Sequence, residues 1–380
     1  MTRRAALLAA GALGLGLGLA RAGTAPRALG EPALQAARPT QAVLQAVARA
    51  GGRRLVAVGE RGLAIYSDDD GRSWTQAQVP VRCTLTALCF ADARRGWAVG
   101  NMGVVLATED GGAHWRRCLE GQAAAELALQ AARAQLDAAA PGSEAQAQAQ
   151  QLREDAQRLV AEGADKPLLD IALRADGTLL AVGAYGLAFA SADGGRSWQP
   201  QMHRLPNPEG LSYYGLAERR GESLLFGEQG LLLRAAGPEQ PFAAQAALSG
   251  GSLFGALVLR EGPLLLLGLR GRLWRSAEPG AAWTPVQTPV EAALVAGTQL
   301  DDGRVLLAGA AGQVLVGEDG GQRLRPLALA QRFPFAGLAQ ARDGALLLVG
   351  TRGLLRLGPD DLQAALAGSP TSLAARTPAQ

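Results

Sequence analysis

The stretch LVAVGERGLAIYSDDDGRSW, residues 55–74, indicates the fold of the whole chain because it is repeated. Its end fits the pattern S/T-x-D-x-G-x-x-W, which we call the Asp box. The same box follows a V-G-x-x-G sequence at the same distance in residues 96–115, GWAVGNMGVVLATEDGGAHW, and in residues 179–198, LLAVGAYGLAFASADGGRSW. A chance match at any one position is expected about once in 10⁵. The three copies therefore represent one structural unit.

The residues of the Asp box are those of a tight turn. Its hydroxyl and carboxylate can accept backbone N–H groups, and its glycine can take the left-handed conformation. Each box supplies one carboxylate, whereas a calcium ion takes about six to eight oxygen ligands. We therefore expect structural turns here, with no bound metal and no catalysis. The boxes comprise Ser67, Asp69, Gly71 and Trp74; Thr108, Asp110, Gly112 and Trp115; Ser191, Asp193, Gly195 and Trp198; and, with Glu replacing Asp, Ser276, Glu278, Gly280 and Trp283.

The glycine that ends each apolar run recurs at steps of 41, 83, 44, 41, 41 and 41 residues, at Gly59, Gly100, Gly183, Gly227, Gly268, Gly309 and Gly350. A period near 41 is the length of a four-stranded propeller blade. The chain is therefore predicted to be all-β, a seven-bladed β-propeller. We expect the two glycines of each G-x-x-G to bracket a short turn because glycine tolerates positive φ. The predicted blades are about 43–79, 84–118, 168–201, 213–245, 253–286, 292–327 and 335–358.

An insertion accounts for the double step between blades two and three. Residues 120–165 contain neither V-G-x-x-G nor an Asp box, and they are rich in Ala, Gln, Glu, Leu and Arg, which form helices well. The sequence Pro141-Gly142-Ser143 interrupts the helical pattern. We predict a helical hairpin with arms at 122–139 and 143–162. It is either a strut on the propeller or a docking element for a partner.

The two ends of the chain fall outside the repeats, which occupy 43–119 and 166–358. Residues 1–22 resemble an export signal, because Arg3 and Arg4 precede an apolar stretch that ends in the A-x-A sequence 20–22. Either the Sec or the twin-arginine route fits, so we expect a periplasmic protein. Part of residues 23–42 is expected to form the outermost strand of the last blade and to close the ring. Residues 359–380 are expected to be a C-terminal tail.

Composition excludes several classes of site. The net charge is only +3, and the scarce aromatic residues are not interleaved with the arginines, so nucleic-acid binding is not expected. With two histidines and no C-x-x-C, neither a zinc site nor a cofactor is expected. Cys89 falls in a predicted inner strand, where it suits a buried small residue. A disulfide between Cys83 and Cys118 stays open.

Binding is expected on one face of the ring. In a four-stranded blade, the turn between the second and third strands lies on the same face as the link to the next blade. We call this the G-x-x-G face, and the opposite one the box face. Arginines around one opening would attract an anion or an acidic protein surface, and the helical insert should leave from this face. The candidate residues are Glu60, Arg61, Asn101, Tyr185, Glu228, Gln229, Arg270 and Arg352.

The repeats in 96–115 and 179–198 resemble those of the photosystem II stability/assembly factor-like propellers, a family with Asp-box (BNR) repeats. The resemblance covers residues 43–358 except the insertion. It implies a non-catalytic scaffold or assembly factor that binds a protein subunit of a membrane complex. Such a protein would be a monomer that meets the membrane only through its partner. Similar exported proteins are associated with RND-type exporters, which are a second setting.

Two other functions stay open. Sialidases also carry Asp boxes and use a tyrosine nucleophile, an exception to the two-carboxylate pattern. Here Tyr185 is the candidate nucleophile, with Glu60 or Glu228 as its base, although the Arg-Ile-Pro signature of sialidases is absent. The third possibility is a glycan-binding or small-anion-binding module that uses the arginines.

Overall fold

The computed structural model describes residues 27–248 and 250–368; the predicted export signal lies outside the described residues. Seven antiparallel sheets follow one another along the chain. The innermost strand of each sheet packs against the innermost strands of its two neighbours, and blade 7 packs against blade 1. The prediction of a seven-bladed β-propeller with a helical insertion between blades 2 and 3 is confirmed.

The first four blades each have four strands, which are named from the innermost to the outermost. Blade 1 consists of Leu44–Gly51, Arg54–Gly59, Ala64–Ser67 and Thr75–Gln76. Blade 2 consists of Leu85–Phe90, Gly96–Gly100, Val105–Thr108 and Arg116–Leu119. Blade 3 consists of Leu168–Leu173, Leu179–Gly183, Ala188–Ser191 and Gln199–Pro200. Blade 4 consists of Tyr213–Arg219, Glu222–Gly227, Leu232–Ala235 and Ala243–Ala244.

The last three blades complete the ring. Blade 5 consists of Leu253–Val258, Leu264–Gly268, Leu273–Ser276 and Trp283–Val286. Blade 6 consists of Leu294–Gln299, Val305–Gly309, Val314–Glu318 and Arg323–Pro326. Blade 7 has three strands in the described part of the chain, Phe335–Gln340, Leu346–Gly350 and Gly353–Leu357. The hydrophobic core lies between neighbouring blades, as where Val56 and Val58 of blade 1 pack with Leu106 of blade 2.

Each innermost strand carries a β-bulge opposite the first glycine of its G-x-x-G. The bulged residues are Gln45, Thr86, Leu169, Tyr214, Phe254, Val295 and Ala336. In blade 1 the bulge brings the carbonyl of Val43 onto the turn, where it accepts the Glu60 N–H at 3.0 Å. A Cβ on Gly59 would lie 2.1 Å from that oxygen.

This close approach corrects the expected role of Gly59. Its φ is −170°, which any residue adopts, so glycine is needed there for space and not for positive φ. Positive φ occurs instead at Gly62, with φ of 77°, and at Arg61, with φ of 54°. The same left-handed position is filled by a residue other than glycine in five blades, at Arg61, Met102, Tyr185, Gln229 and Arg270.

Within residues 27–42, the described part of the N-terminal segment, no strand joins the last blade, which differs from the expectation for 23–42. Residues 27–42 contain a helical turn at Arg27–Gly30 and a 3₁₀ turn at Pro39–Gln41. Between them the chain runs along the outer edge of blade 1, where the Ala33 N–H donates to Val79 O at 3.0 Å. The ring is closed by packing of blade 1 on blade 7. The segment covers the outer edge of blade 1, whose own fourth strand has only two residues.

The region predicted as a C-terminal tail begins with a helix, Pro359–Leu366, which is a second correction. Leu362, Ala365 and Leu366 are buried against the core between blades 6 and 7. The helix covers apolar surface that a blade of three strands leaves open. A sequence signal for it exists, because proline and two aspartates begin the helix and its apolar residues follow at helical spacing.

The helical insert consists of Gly121–Ala138 and Glu144–Glu162, which pack against each other. Both N-termini are capped by side chains, those of Glu120 and Ser143. The first helix buries a row of alanines, including Ala124 and Ala128, and packs along the outermost strand of blade 3. Among the described residues, no helix has the length and apolar character needed to cross a bilayer.

Candidate functional site

The first Asp box is a closed set of hydrogen bonds. Ser67 Oγ accepts the Gly71 N–H at 2.8 Å and donates to Asp69 Oδ1 at 2.7 Å. Asp69 also accepts the N–H groups of Arg72 and Ser73 and the Ser73 hydroxyl. Partial burial alone would raise the pKa of Asp69, but the bonds from Ser73, Ser67 and Arg72 outweigh burial and lower this pKa to about 2.

The other two complete boxes have the same bonds. Thr108 Oγ1 bonds Asp110 and Gly112, and Ser191 Oγ bonds Asp193 and Gly195. The pKa of Asp193 is also lowered, mainly by hydrogen bonds from the side chain and the backbone N–H of Ser197. In these boxes the carboxylates are fully used inside the turn, which agrees with a structural role.

Replacing Asp69 by alanine should lower the free energy of unfolding by about 2 kcal/mol at pH 7, because several charge-assisted hydrogen bonds are lost. The depressed pKa makes this contribution pH-dependent. It is present above the ordinary aspartate pKa near 4 and is lost as the pH falls toward about 2. Urea unfolding should show a smaller difference in the free energy of unfolding between the variant and the unmodified protein at pH 3 than at pH 7. Asp68→Ala is the control, because exposed Asp68 has only an ion pair with Arg54, worth about 1 kcal/mol or less.

The box of blade 5 is built differently from the prediction. The Gly280 N–H donates to the carboxylate of Glu222, in the neighbouring blade 4, at 3.0 Å. Ser276 Oγ donates to the backbone oxygen of Glu278 at 3.0 Å, and the Glu278 residue is exposed. Arg219 also donates to the oxygens of Ser276 and Glu278. A buried carboxylate from another blade thus takes the place of the box aspartate.

Several arginines on the box face are paired with carboxylates. Arg53 and Arg54 of blade 1 bond Asp70 and Asp68. At the contact between blades 7 and 1, Asp343 accepts from both Arg72 and Arg356, each at 2.5 Å. These pairs join strand ends and neighbouring blades, so the charges of these four arginines are neutralised locally.

The arginines predicted for the G-x-x-G face are exposed and unpaired. Arg61, Arg270 and Arg352 have no carboxylate within 4 Å among the described residues. They lie in the turns of blades 1, 5 and 7, which leaves blade 6 between the last two. Arg61 and Arg270 have left-handed backbones, so the turn itself fixes where each side chain leaves the surface.

Two further arginines of this face were missed in the sequence. Arg38 and Arg332 are exposed and also have no carboxylate within 4 Å in the described part of the chain. They lie in the links that enter blades 1 and 7, and links share the G-x-x-G face. We call the five residues Arg38, Arg61, Arg270, Arg332 and Arg352 the arginine arc. Searching the links as well as the turns would have found the whole arc.

Glu60 and Glu228 serve inside their own blades. The carboxylate of Glu60 accepts the Val43 N–H at 3.1 Å, and that of Glu228 accepts the Ser212 N–H at 3.0 Å. Both bonds fix the start of an innermost strand. Neither carboxylate is therefore available as a free base beside Tyr185, which weakens the sialidase hypothesis. Asn101 and Gln229 are exposed at the turns of blades 2 and 4.

Tyr185 lies where the insert meets blade 3. Its side chain is 66% exposed, and the Lys166 ammonium lies 5.4 Å from its ring centroid. Lys166 is also paired with Glu162 and Asp165, so its charge is neutralised locally. The insert therefore begins and ends on the G-x-x-G face, as expected.

The three cysteines form no disulfide with one another in the structure. All three cysteines are free, and burial raises the pKa of the Cys83 and Cys89 thiols to about 11 and about 12. Within residues 27–248 and 250–368, no cluster of three or more potential metal ligands occurs.

Comparison with known proteins agrees with this architecture. The family model of the photosynthesis system II assembly factor YCF48 matches residues 66–138, from the first Asp box to the end of the first insert helix. No curated protein matches the chain. A structure of YCF48 bound to a D1 peptide is 18% identical with a TM-score of 0.59, and the alignment covers 86% of this chain and 99% of that one.

Two more solved structures show how widely the fold is shared. YCF48 from Cyanidioschyzon merolae is 15% identical with a TM-score of 0.58, over 85% of this chain and 97% of that one. A streptogramin B lyase is 9% identical with a TM-score of 0.60, over 87% of this chain and 98% of that one. Identities this low show the fold alone, and the fold serves both binding proteins and enzymes. The family match over residues 66–138 and the shared architecture make this chain similar to the photosystem II assembly factor-like propellers.

Proposed function

We propose that this chain is a non-catalytic scaffold or assembly factor whose arginine arc binds an acidic surface on a subunit of a membrane complex. The observation that carries the proposal is a row of exposed arginines in neighbouring turns and links that lack a carboxylate partner within the described part of the chain. On the box face, Arg54, Arg72 and Arg356 are paired with carboxylates, whereas no arginine of the arc has a carboxylate within 4 Å in the described residues. Unpaired arginines on a rigid ring can bind carboxylates through two parallel hydrogen bonds.

The comparisons support a polypeptide ligand. A YCF48 structure holds a D1 peptide, so a propeller of similar architecture can bind a protein segment. The sequence of residues 1–22 is our ground for placing this protein in the periplasm, where it would meet the exposed parts of a membrane complex. An RND-type exporter is one complex that fits this setting.

The arc can be tested with a labelled ten-residue polyglutamate peptide as the probe. In the triple variant Arg61→Ala, Arg270→Ala, Arg352→Ala we expect the dissociation constant to rise about tenfold, since each exposed pair contributes at most about 1 kcal/mol. Binding to the unmodified protein should weaken as salt rises from 20 to 200 mM, because salt screens exposed charges. Fluorescence anisotropy measures both effects.

A matched variant separates the site from net charge. Arg196, Arg220 and Arg342 are exposed residues of the box face, and their replacement by alanine removes the same charge. We expect this control to bind the peptide as the unmodified protein does. Equal weakening in both triple variants, or none in the arc variant, would contradict the proposal. If millimolar sulfate competes for the arc as strongly as the peptide binds it, a small-anion-binding module would be favoured instead.

A further inference from the structure

A cleft of about 140 Å³ lies between the helical insert and the edges of blades 3 and 4. The insert contributes mainly alanines and leucines from its two helices, including Ala132, Leu152 and Leu159, together with Gln135 and Asp155. Leu187 and Met202 contribute from the propeller side. A cavity of about 150 Å³ with aliphatic walls holds a benzene ring. This cleft therefore has room for one aromatic ring.

The rim of the cleft includes a preorganised aromatic residue. Tyr185 lines the cleft and is 66% exposed. Its backbone is left-handed, with φ of 56°, and its N–H donates to Ser212 Oγ at 3.4 Å. Met202, also in the wall, has a sulfur of the kind that contacts aromatic rings favourably. An aromatic ligand would meet surfaces already in place.

The cleft also holds an unsatisfied polar group. Tyr213 is 0% exposed and lines the cleft, and its hydroxyl has no hydrogen-bond partner among the described residues. Asn207 lies nearby, but its amide already bonds the backbone of Leu211 at 2.8 and 3.0 Å. Burial raises the pKa of Tyr213 to about 12 although Asn207 opposes this, so the phenol is neutral and can donate. A buried hydroxyl without a partner favours a ligand that supplies one.

We propose that this cleft binds a single aromatic ring that carries a hydrogen-bonding group, a phenol or an indole. The ring packs between the insert and Met202, and its polar atom bonds the Tyr213 hydroxyl. The ring can belong to a free compound or to a tyrosine or tryptophan of a polypeptide. This site goes beyond the proposed function, because none of its lining residues belongs to the arginine arc.

The test compares p-cresol with toluene, which has the same ring and methyl group without the hydroxyl. Calorimetric titration of the full chain should give p-cresol a dissociation constant about tenfold lower than that of toluene, the effect of one hydrogen bond. In Tyr213→Phe the two ligands should bind equally, with toluene unchanged. Because Phe removes only an unpartnered hydroxyl, this variant should fold and keep its melting temperature.

A pair of leucine variants tests the position of the site. Ala131 lines the cleft and is half-buried, whereas Ala134 lies on the same helix and is exposed. Ala131→Leu should abolish binding of both ligands, and Ala134→Leu should leave it unchanged. Equal binding of p-cresol and toluene to the unmodified protein, or full binding to Ala131→Leu, would overturn the proposal.

The source of the ring can be read from the same titration. If capped N-acetyl-tyrosine amide binds as p-cresol does, the cleft accepts a side chain on a polypeptide. If only p-cresol binds, the ligand is a free aromatic compound; both results support the site. The triple arginine variant should bind p-cresol normally, so failure of the cleft and failure of the arc are separate outcomes.

Discussion

Replacing Glu222 by alanine is expected to lower the free energy of unfolding by about 3–5 kcal/mol, the usual effect of breaking a buried ion pair by removing one partner. Glu222 and Arg219 are 1% and 2% exposed. One carboxylate oxygen accepts from Arg219 Nε and Nη2, at 2.9 and 2.6 Å. The other accepts from Arg234 and from the Gly280 N–H. Without this carboxylate the Arg219 charge stays buried and unpaired.

The same substitution also removes a hydrogen bond between blades 4 and 5. Glu222 supplies the acceptor that Gly280 lacks in its own box, so its loss also removes the acceptor of the Gly280 N–H. Urea unfolding at pH 7 measures the change in stability. Glu278→Ala is the control, since that residue is exposed and should change stability by no more than about 0.5 kcal/mol.

A double variant tests whether the unpaired arginine causes the loss of stability. In Arg219→Met, Glu222→Ala no buried arginine is left without a counter-charge, and an apolar side chain fills much of the space. We expect the double variant to be more stable than Glu222→Ala alone. A single variant within about 1 kcal/mol of the unmodified protein, or a double variant less stable than the single one, would contradict this account.

The repeat could be predicted from sequence because its signals are local. Each strand, the G-x-x-G turn and the complete Asp boxes lie within about 20 neighbouring residues, so the period and the bonding groups are visible together. The box of blade 5 could not be predicted in this way. Glu278 looks like a conservative substitute for aspartate, but the acceptor comes from Glu222, which lies in the preceding blade.

Long-range contacts also limited the prediction of the candidate site. Exposure of the turn arginines follows from the position of the turn, and it was expected. Glu60 and Glu228 each bond the residue that precedes an innermost strand, and this contact depends on the β-bulge. The bulge itself has no recognisable residue pattern in the sequence. The cleft beside Tyr185 depends on how the insert packs, which its composition does not specify.

The second large loss of stability is expected for Gly59→Ala, because the β-bulge brings backbone atoms against this glycine. A Cβ at this position would lie 2.1 Å from the Val43 oxygen and 2.8 Å from the Leu44 Cα, both of them backbone atoms. Backbone cannot move aside by changing a rotamer, so the strand must shift and the bond from Glu60 to Val43 must lengthen or break. We expect a loss of about 3 kcal/mol or more, above the usual cost of overpacking.

The repeat supplies its own control for this prediction. Gly268 occupies the same position in blade 5, but a Cβ there would lie 3.0 Å from the Ser252 oxygen, and φ is −141°. Gly268→Ala should therefore cost about 1 kcal/mol or less, although it is the same substitution in the same motif. Urea unfolding of the two variants should differ by about 2 kcal/mol. Equal losses would mean that the glycine is needed for its conformation and not for the space beside the bulge.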